Sequence, residues 1–144
     1  MKKLITLFLF CFSIYEISAQ HLGPQTLPDL KESPAGSKII DFINLINEGQ
    51  KVTEQSINEL FASGMIEKHG AKKLTGFIQD IQQTDGQLTL YEADRKAMFN
   101  YVLKLKGSNH GEWLNADLKL EENPPYGITG FGLNNSGEIP QNQT

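Results

Sequence analysis

The sequence WLNADLKLEENPPYGITGFGL, residues 113–133, has the clearest pattern in the chain. Over its first eight residues every second side chain is apolar: Leu114, Ala116, Leu118 and Leu120. The side chains between them are mostly polar: Trp113, Asn115, Asp117 and Lys119. A period of two is typical of a strand that is buried on one face. We therefore expect the leucine face to contact the core and Trp113 to lie on the outer face with its polar neighbours.

Two prolines and three glycines come after this strand. Pro124 and Pro125 keep the connecting residues out of the sheet, because proline has no backbone N–H to donate. The last alternating stretch contains or adjoins Gly127, Gly130 and Gly132. Glycine in a strand marks a bulge, a bend or a close backbone approach. These residues predict a last strand that curves over a helical layer; the alternative is a frayed edge strand.

Two further strands are predicted upstream. Leu88 and Leu90 begin the first, and the second has one apolar face formed by Ala97, Phe99, Tyr101, Leu103 and Leu105. The sequence from Gly107 to Gly111 predicts a turn. Together with the strands described above, these elements form a four-stranded antiparallel meander.

The first half of the chain has helical spacing. Ser37 is the expected N-cap of a helix that ends at Gly49, with apolar side chains at Ile39, Phe42, Ile43 and Ile46. Thr53 begins a second helix that stops at Gly64, and a third runs from Ala71 to Gln83. The apolar faces of the helices and those of the strands must both be buried. The predicted fold class is therefore α+β, with N-terminal helices packed on a strongly curved four-stranded antiparallel sheet.

The flanking segments divide the chain. Residues 1–19 are predicted to be a signal peptide, with Lys2 and Lys3 before an apolar run and cleavage near Ala19. The alternative is a short uncleaved anchor, although the run is too short to span a bilayer. Proline and glycine predict a linker over 20–36, and the polar residues 134–144 predict a disordered tail. The domain is then 37–133, secreted or periplasmic, and it meets a membrane only transiently through the signal peptide.

Composition excludes several kinds of function. The chain has 17 acidic and 13 basic residues, so a nucleic-acid partner is not expected. Its single cysteine, Cys11, leaves with the signal peptide, which removes disulfide and thiolate chemistry. The sequence has neither Ser-x-x-Lys nor Gly-x-Ser-x-Gly, the arrangements that serine hydrolases use. No two histidines have the spacing of a metal pair, so no metal or cofactor is predicted.

Three segments carry a family resemblance: IIDFINLINEGQ (39–50), LTGFIQDI (74–81) and GEWLNADLKLEENPPYGITGFGL (111–133). Their shared signature is Asn47/Gly49, Trp113/Leu114 and Pro124/Pro125/Tyr126/Ile128/Gly130. Over residues 36–133 the chain resembles a small module of the nuclear-transport-factor-two-like type, which is fused to secreted bacterial beta-lactamase-like serine hydrolases and exported peptidases. The resemblance implies a cone-shaped or cystatin-like α+β domain acting as an accessory module that stands alone.

Two hypotheses for the functional site follow. In the first, a non-catalytic interaction module binds a protein partner or a second copy through an outer patch of Trp113, Asn115, Met98 and Val102. In the second, a cone-fold isomerase, cyclase or ligand-binding protein has a pocket containing Tyr101, Phe99 and Tyr91. Asp117 should point away from that pocket, so no inward carboxylate is expected beside Tyr101. A remnant of a larger two-domain hydrolase is a third possibility.

Overall fold

A computed structural model describes residues 22–48 and 52–135 of the chain. The described part contains these elements: β1 (Gly23–Gln25), α1 (Leu27–Glu32), α2 (Pro34–Asn47), α3 (Glu54–Leu60), α4 (Ser63–His69), α5 (Ala71–Thr84), β2 (Leu88–Ala97), β3 (Asn100–Gly107), β4 (Trp113–Leu120) and β5 (Ile128–Asn135). The predicted signal peptide, Gly49 and residues 136–144 of the predicted tail lie outside the described residues.

The sheet has five strands in the order β1-β2-β3-β4-β5, and each neighbouring pair is antiparallel. The α+β class is confirmed, but the prediction of four strands is wrong by one. The additional strand, β1, pairs Gly23 with Arg95 and Gln25 with Ala93. Three residues that include a proline cannot show a period of two, so backbone pairing with β2 defines this strand.

The segment predicted as a linker is folded where the structure describes it. Thr26 caps α1: its side chain accepts a hydrogen bond from the Asp29 N–H, and the Asp29 carboxylate accepts one from the Thr26 N–H. The N-cap of α2 is Ser33, whose Oγ accepts from the Gly36 N–H at 3.2 Å. Ser37 was therefore the wrong N-cap. The helix begins one turn earlier, because proline is well tolerated in a first helical turn.

The predicted second helix is two short helices, α3 and α4. Between them Phe61 has extended backbone and forms an isolated parallel bridge with Ile128. The Ala62 N–H donates to the Ile128 carbonyl at 2.9 Å. This contact with β5 replaces the helical hydrogen bonds that the local sequence alone would favour.

The strand β2 is longer than predicted and changes the position of the first hairpin. It runs to Ala97, and Met98 and Phe99 form the turn before β3. Ala97 and Phe99 were therefore wrongly placed on the face of β3. The register of the β2–β3 pair shifts between Leu90 and Glu92 and again between Arg95 and Ala97. These bulges interrupt the period of two on which the prediction depended.

The core lies between the helices and one face of the sheet. All four residues of the leucine face are at most 5% exposed, which confirms the predicted facing of β4. From the helices, Ile39, Phe42 and Ile78 are fully buried against them. The Phe131 ring lies 4.9 Å from that of Phe42 and 4.8 Å from that of Phe77, so β5 contacts both long helices.

Asn47 joins the last turn of α2 to the start of β2. Its Nδ2 donates to the Leu88 carbonyl at 2.8 Å, and its Oδ1 accepts from the Leu88 N–H at 2.6 Å. The side chain thus pairs with Leu88 as a neighbouring strand would. Gln82 on α5 donates to the Leu45 carbonyl at 3.2 Å and extends the connection to a second helix.

The turn between β3 and β4 caps the end of α5. The Asn109 side chain donates to the Gln83 carbonyl at 3.0 Å, and its backbone N–H donates to the Asp85 carbonyl at 3.0 Å. Partial burial under this turn raises the pKa of the Asp85 carboxyl, the Glu112 charge raises it further, and His110 acts in the opposite direction. The turn is therefore a structural cap.

Candidate functional site on the outer sheet face

An aromatic pair lies on the outer face of the sheet. The rings of Tyr91 and Trp113 are 4.7 Å apart at an interplanar angle of 73°, an edge-to-face contact. Tyr91 is the extra residue of the bulge between Leu90 and Glu92. The bulge places Tyr91 beside Trp113 rather than inside the domain, where the pocket hypothesis had placed it. This pair is the first component of the candidate site.

Lys106 adds a cation to the pair. It lies directly opposite Trp113 in the β3–β4 register, and its Nζ is 5.1 Å from the centre of the indole ring. An ammonium over an aromatic face is attracted by the ring quadrupole. We call Tyr91, Lys106 and Trp113 the aromatic patch. The sequence analysis identified Trp113 but missed Lys106, although β3–β4 pairing across a short turn could have indicated it.

Asn115 adjoins the aromatic patch and carries an unusual polar atom. Its Oδ1 is buried and accepts no hydrogen bond within residues 22–48 and 52–135. Asn115 lies between Lys104 on β3 and Asn134 on β5. A buried acceptor without a donor costs about 1–3 kcal/mol. Because the oxygen is covered, a binding partner can reach it only if the Asn115 side chain moves.

Of the other two predicted patch residues, Val102 is the nearer to Trp113 but does not lie beside it. It lies on the outer face opposite Asp94 and Asp117, about 13 Å along the sheet from Trp113. Met98 lies in the hairpin turn at the other end of the sheet, about 20 Å from Trp113 by strand rise. The structure therefore brings together Trp113, Asn115 and, at its margin, Val102, but not Met98.

The three predicted pocket residues do not converge. Tyr101 is 1% exposed on the inner face, opposite Arg95 and Leu118. Phe99 lies in the hairpin turn and stacks on Tyr126, with ring centres 6.3 Å apart. Since Tyr91 belongs to the aromatic patch, no two of the three share a cavity wall among the cavities described. With Tyr91 on the outer face and Tyr101 on the inner face, the three residues do not line one pocket.

Arg95 is a second feature that the sequence analysis missed. It is 2% exposed, its guanidinium lies 5.7 Å from the centre of the Tyr101 ring, and it donates to the Met98 carbonyl at 2.7 Å. The guanidinium thus holds the hairpin turn in place. A single arginine in an alternating strand gives no sign of burial, so only the tertiary structure could reveal this role.

The larger described cavity, of about 390 Å³, is an open groove between α2 and α3 that contains Lys38, Asp41 and Glu59. It lies on the helical side and includes neither Tyr101 nor Trp113. The described residues hold no group of three or more potential metal ligands. This groove therefore offers no chemistry that the sequence or the structure connects to a reaction.

We expect Tyr101→Phe to leave stability unchanged or to raise it by up to about 1 kcal/mol. The Tyr101 hydroxyl is buried and has no hydrogen-bond partner in the described part of the chain, so its removal relieves a desolvation cost. Urea denaturation of both proteins, followed by circular dichroism, measures the difference. A loss of more than about 1 kcal/mol would mean that the hydroxyl has a stabilising partner and would reopen the pocket hypothesis.

Comparison of the chain with family models, curated proteins and solved structures found no match. The resemblance to accessory modules of exported hydrolases therefore stays a prediction. In residues 22–48 and 52–135, every helix is too short or too polar to cross a membrane.

Proposed function

We propose that this protein is a secreted, non-catalytic interaction module that binds a second copy of itself through the outer face of its sheet. The observation that supports this most directly is the aromatic patch beside Asn115: a tryptophan, a tyrosine and a lysine in contact on the outer face of the sheet. Aromatic residues at the centre of a surface patch are typical of binding sites.

The strand register makes this face complementary to itself. A two-fold axis parallel to the strands, midway between β3 and β4, places Lys104 opposite Asn115 of the second copy and Lys106 opposite its Trp113. Each indole then gains a second cation, Lys106 of the other copy. The same axis places Glu92 near Asn134, so this carboxylate meets an uncharged amide. This arrangement would bring the cations of one copy onto the aromatic groups of the other.

The size of the face predicts a weak dimer. Four strands of about eight residues cover about 500 Å² per copy, using standard strand spacing and rise. Specific interfaces usually bury about 800 Å² per partner. We therefore expect a dissociation constant in the micromolar range, with a large share of the binding energy contributed by Trp113.

Light scattering of the purified mature chain over a range of concentrations tests this proposal. At about 100 μM, well above a micromolar Kd, the wild type should have twice the mass of one chain. Trp113→Ala should weaken the dimer at least tenfold, because it removes the largest side chain of the patch. Met98→Ala is the matched control, since Met98 is 51% exposed but lies at the other end of the sheet. A monomeric wild type, or equal association of all three proteins, contradicts the proposal.

The cone-shaped curvature of the sheet and the role as an accessory to exported serine hydrolases are also proposals, supported by the sequence resemblance. So is secretion after cleavage near Ala19. An exported fusion that yields a mature chain beginning near Gln20, measured by mass spectrometry, would support the proposed compartment. A chain that keeps residues 1–19 would contradict it.

A further inference from the structure

The two edges of the sheet differ in how they are protected. The strand β1 is three residues long and contains Pro24, which has no N–H to offer. The strand β5 is eight residues long, ITGFGLNN, with no charged residue and no proline. A long, uncharged edge is a ready template for another strand, and soluble proteins usually interrupt such edges with lysine, proline or short length. The edge of β5 has none of these features.

The hydrogen-bond pattern shows which groups of β5 face outward. The Leu120 N–H donates to the Phe99 carbonyl on the β3 side, at 2.9 Å. Alternate residues of an antiparallel strand bond to alternate sides, so Leu118 and Ala116 also face β3. Their partners on β5 are Phe131 and Leu133, which therefore direct their N–H and C=O groups away from β4.

The start of this edge already accepts an extended backbone. The Phe61 bridge and the Ala62 N–H bond to the Ile128 carbonyl occupy its first residue. Beyond that point no strand within the described ranges pairs with β5 except β4. The edge from Phe131 to Asn135 thus presents backbone groups in the geometry of a sheet without a neighbouring strand.

We propose that the β5 edge, from Phe131 to Asn135, binds an extended, uncharged peptide with apolar side chains at alternate positions. On the inner face Phe131 and Leu133 are half-buried and pack against the core, so the residues opposite them in an added strand should be apolar. Backbone hydrogen bonds supply affinity in this kind of strand addition, and side-chain pockets supply selectivity.

The outer side of the same edge is open. A Cβ placed on Gly132 would meet no atom within 4 Å, and one on Gly130 would meet only the Lys119 side chain, at 3.5 Å. The intervening side chain of the peptide can therefore be large, because it lies over a strip of bare backbone. This explains why a strand near the end of the domain carries so few side chains. The backbone groups of this edge are separate from the aromatic patch, which lies on β2, β3 and β4, whereas the outer face of β5 also adjoins the proposed dimer face.

A labelled synthetic peptide with the sequence GITGFGLNN, residues 127–135, is the probe. When the peptide lies antiparallel to β5 with its Gly132 opposite the Gly132 of the protein, the Leu133 of the peptide lies opposite Phe131. The peptide thus has apolar side chains opposite the apolar residues of the edge. We expect saturable binding by fluorescence anisotropy to the wild type, and no binding of a scrambled peptide. Trp113→Ala should bind the peptide as the wild type does, so failure of the edge proposal is distinguishable from failure of the proposed dimer.

Two variants of Leu133 separate backbone from side chain. Leu133→Pro removes one outward N–H and leaves the bonds to β4 in place, whereas Leu133→Ala keeps the N–H and shortens the side chain. We expect Leu133→Ala to bind within about threefold of the wild type and Leu133→Pro to bind at least about tenfold more weakly. Equal binding by the two variants would overturn the proposal.

Hydrogen exchange of the wild type with and without the peptide gives a readout that does not depend on the folding of any variant. The backbone amides of Phe131 and Leu133 should become protected from exchange, because both N–H groups point outward and would donate to the bound peptide. Protection that leaves the Phe131 and Leu133 amides unchanged, or no saturable binding of the peptide at all, would overturn the proposal.

Discussion

Gly127→Ala should destabilise the protein by about 3 kcal/mol, because the added methyl group would overlap backbone atoms. A Cβ on Gly127 would lie 2.6 Å from the Ala62 nitrogen and 2.9 Å from the Phe61 carbonyl carbon. These are backbone atoms, so neither can move aside as a flexible side chain would. The segment between α3 and α4 must shift and lose its hydrogen bond to Ile128. Urea denaturation with tryptophan fluorescence measures the change.

Gly132→Ala is the matched control for this prediction. It adds the same methyl group to the same region, five residues later, where nothing lies within 4 Å. We expect a change within about 0.5 kcal/mol, as for an ordinary surface position. If the two variants are equally stable, the close approach between Gly127 and the α3–α4 segment does not exist in the folded protein.

Asn47→Ala should cost about 2–3 kcal/mol, because both backbone groups of Leu88 would lose their partner at a buried position. Asn47→Asp should fall between the alanine variant and the wild type, since a carboxylate can still accept from the Leu88 N–H but cannot donate to its carbonyl. Thermal and urea denaturation of the three proteins would give the order.

Asn44→Ala is the control on the same helix. Asn44 lies one turn before Asn47, its side chain is exposed, and we expect a change within about 0.5 kcal/mol. Equal losses at the two positions would contradict the connection with Leu88, because helix propensity alone favours alanine over asparagine. A small loss at both would mean that water replaces the Asn47 side chain at the strand.

The sequence predicted the parts of the fold in which one local period governs a whole element. The strand β4 shows this best, because its leucines and its polar residues alternate without interruption and its facing was confirmed. The helix α5 was also placed within one residue of its observed end. In both elements local pattern and tertiary burial favour the same structure, as they do in well-folded proteins.

The parts that were wrong are those set by contacts distant in sequence. The break between α3 and α4 depends on a hydrogen bond to Ile128, and the strand β1 depends on pairing with β2. The candidate site was half predicted for the same reason. Trp113 follows from alternation, but Tyr91 reaches it only through a bulge, and a bulge leaves no local mark on this sequence.

The pairing of Gly23 with Arg95 has a kinetic consequence. Half of the chain lies between these residues. The strand β1 can therefore pair only after β2 has been synthesised and has folded. Closing so long a loop lowers the conformational entropy of the chain, and the three residue pairs that form contribute little stabilising free energy in return. We expect β1 to be the last strand to join during folding and the first to detach in the native state.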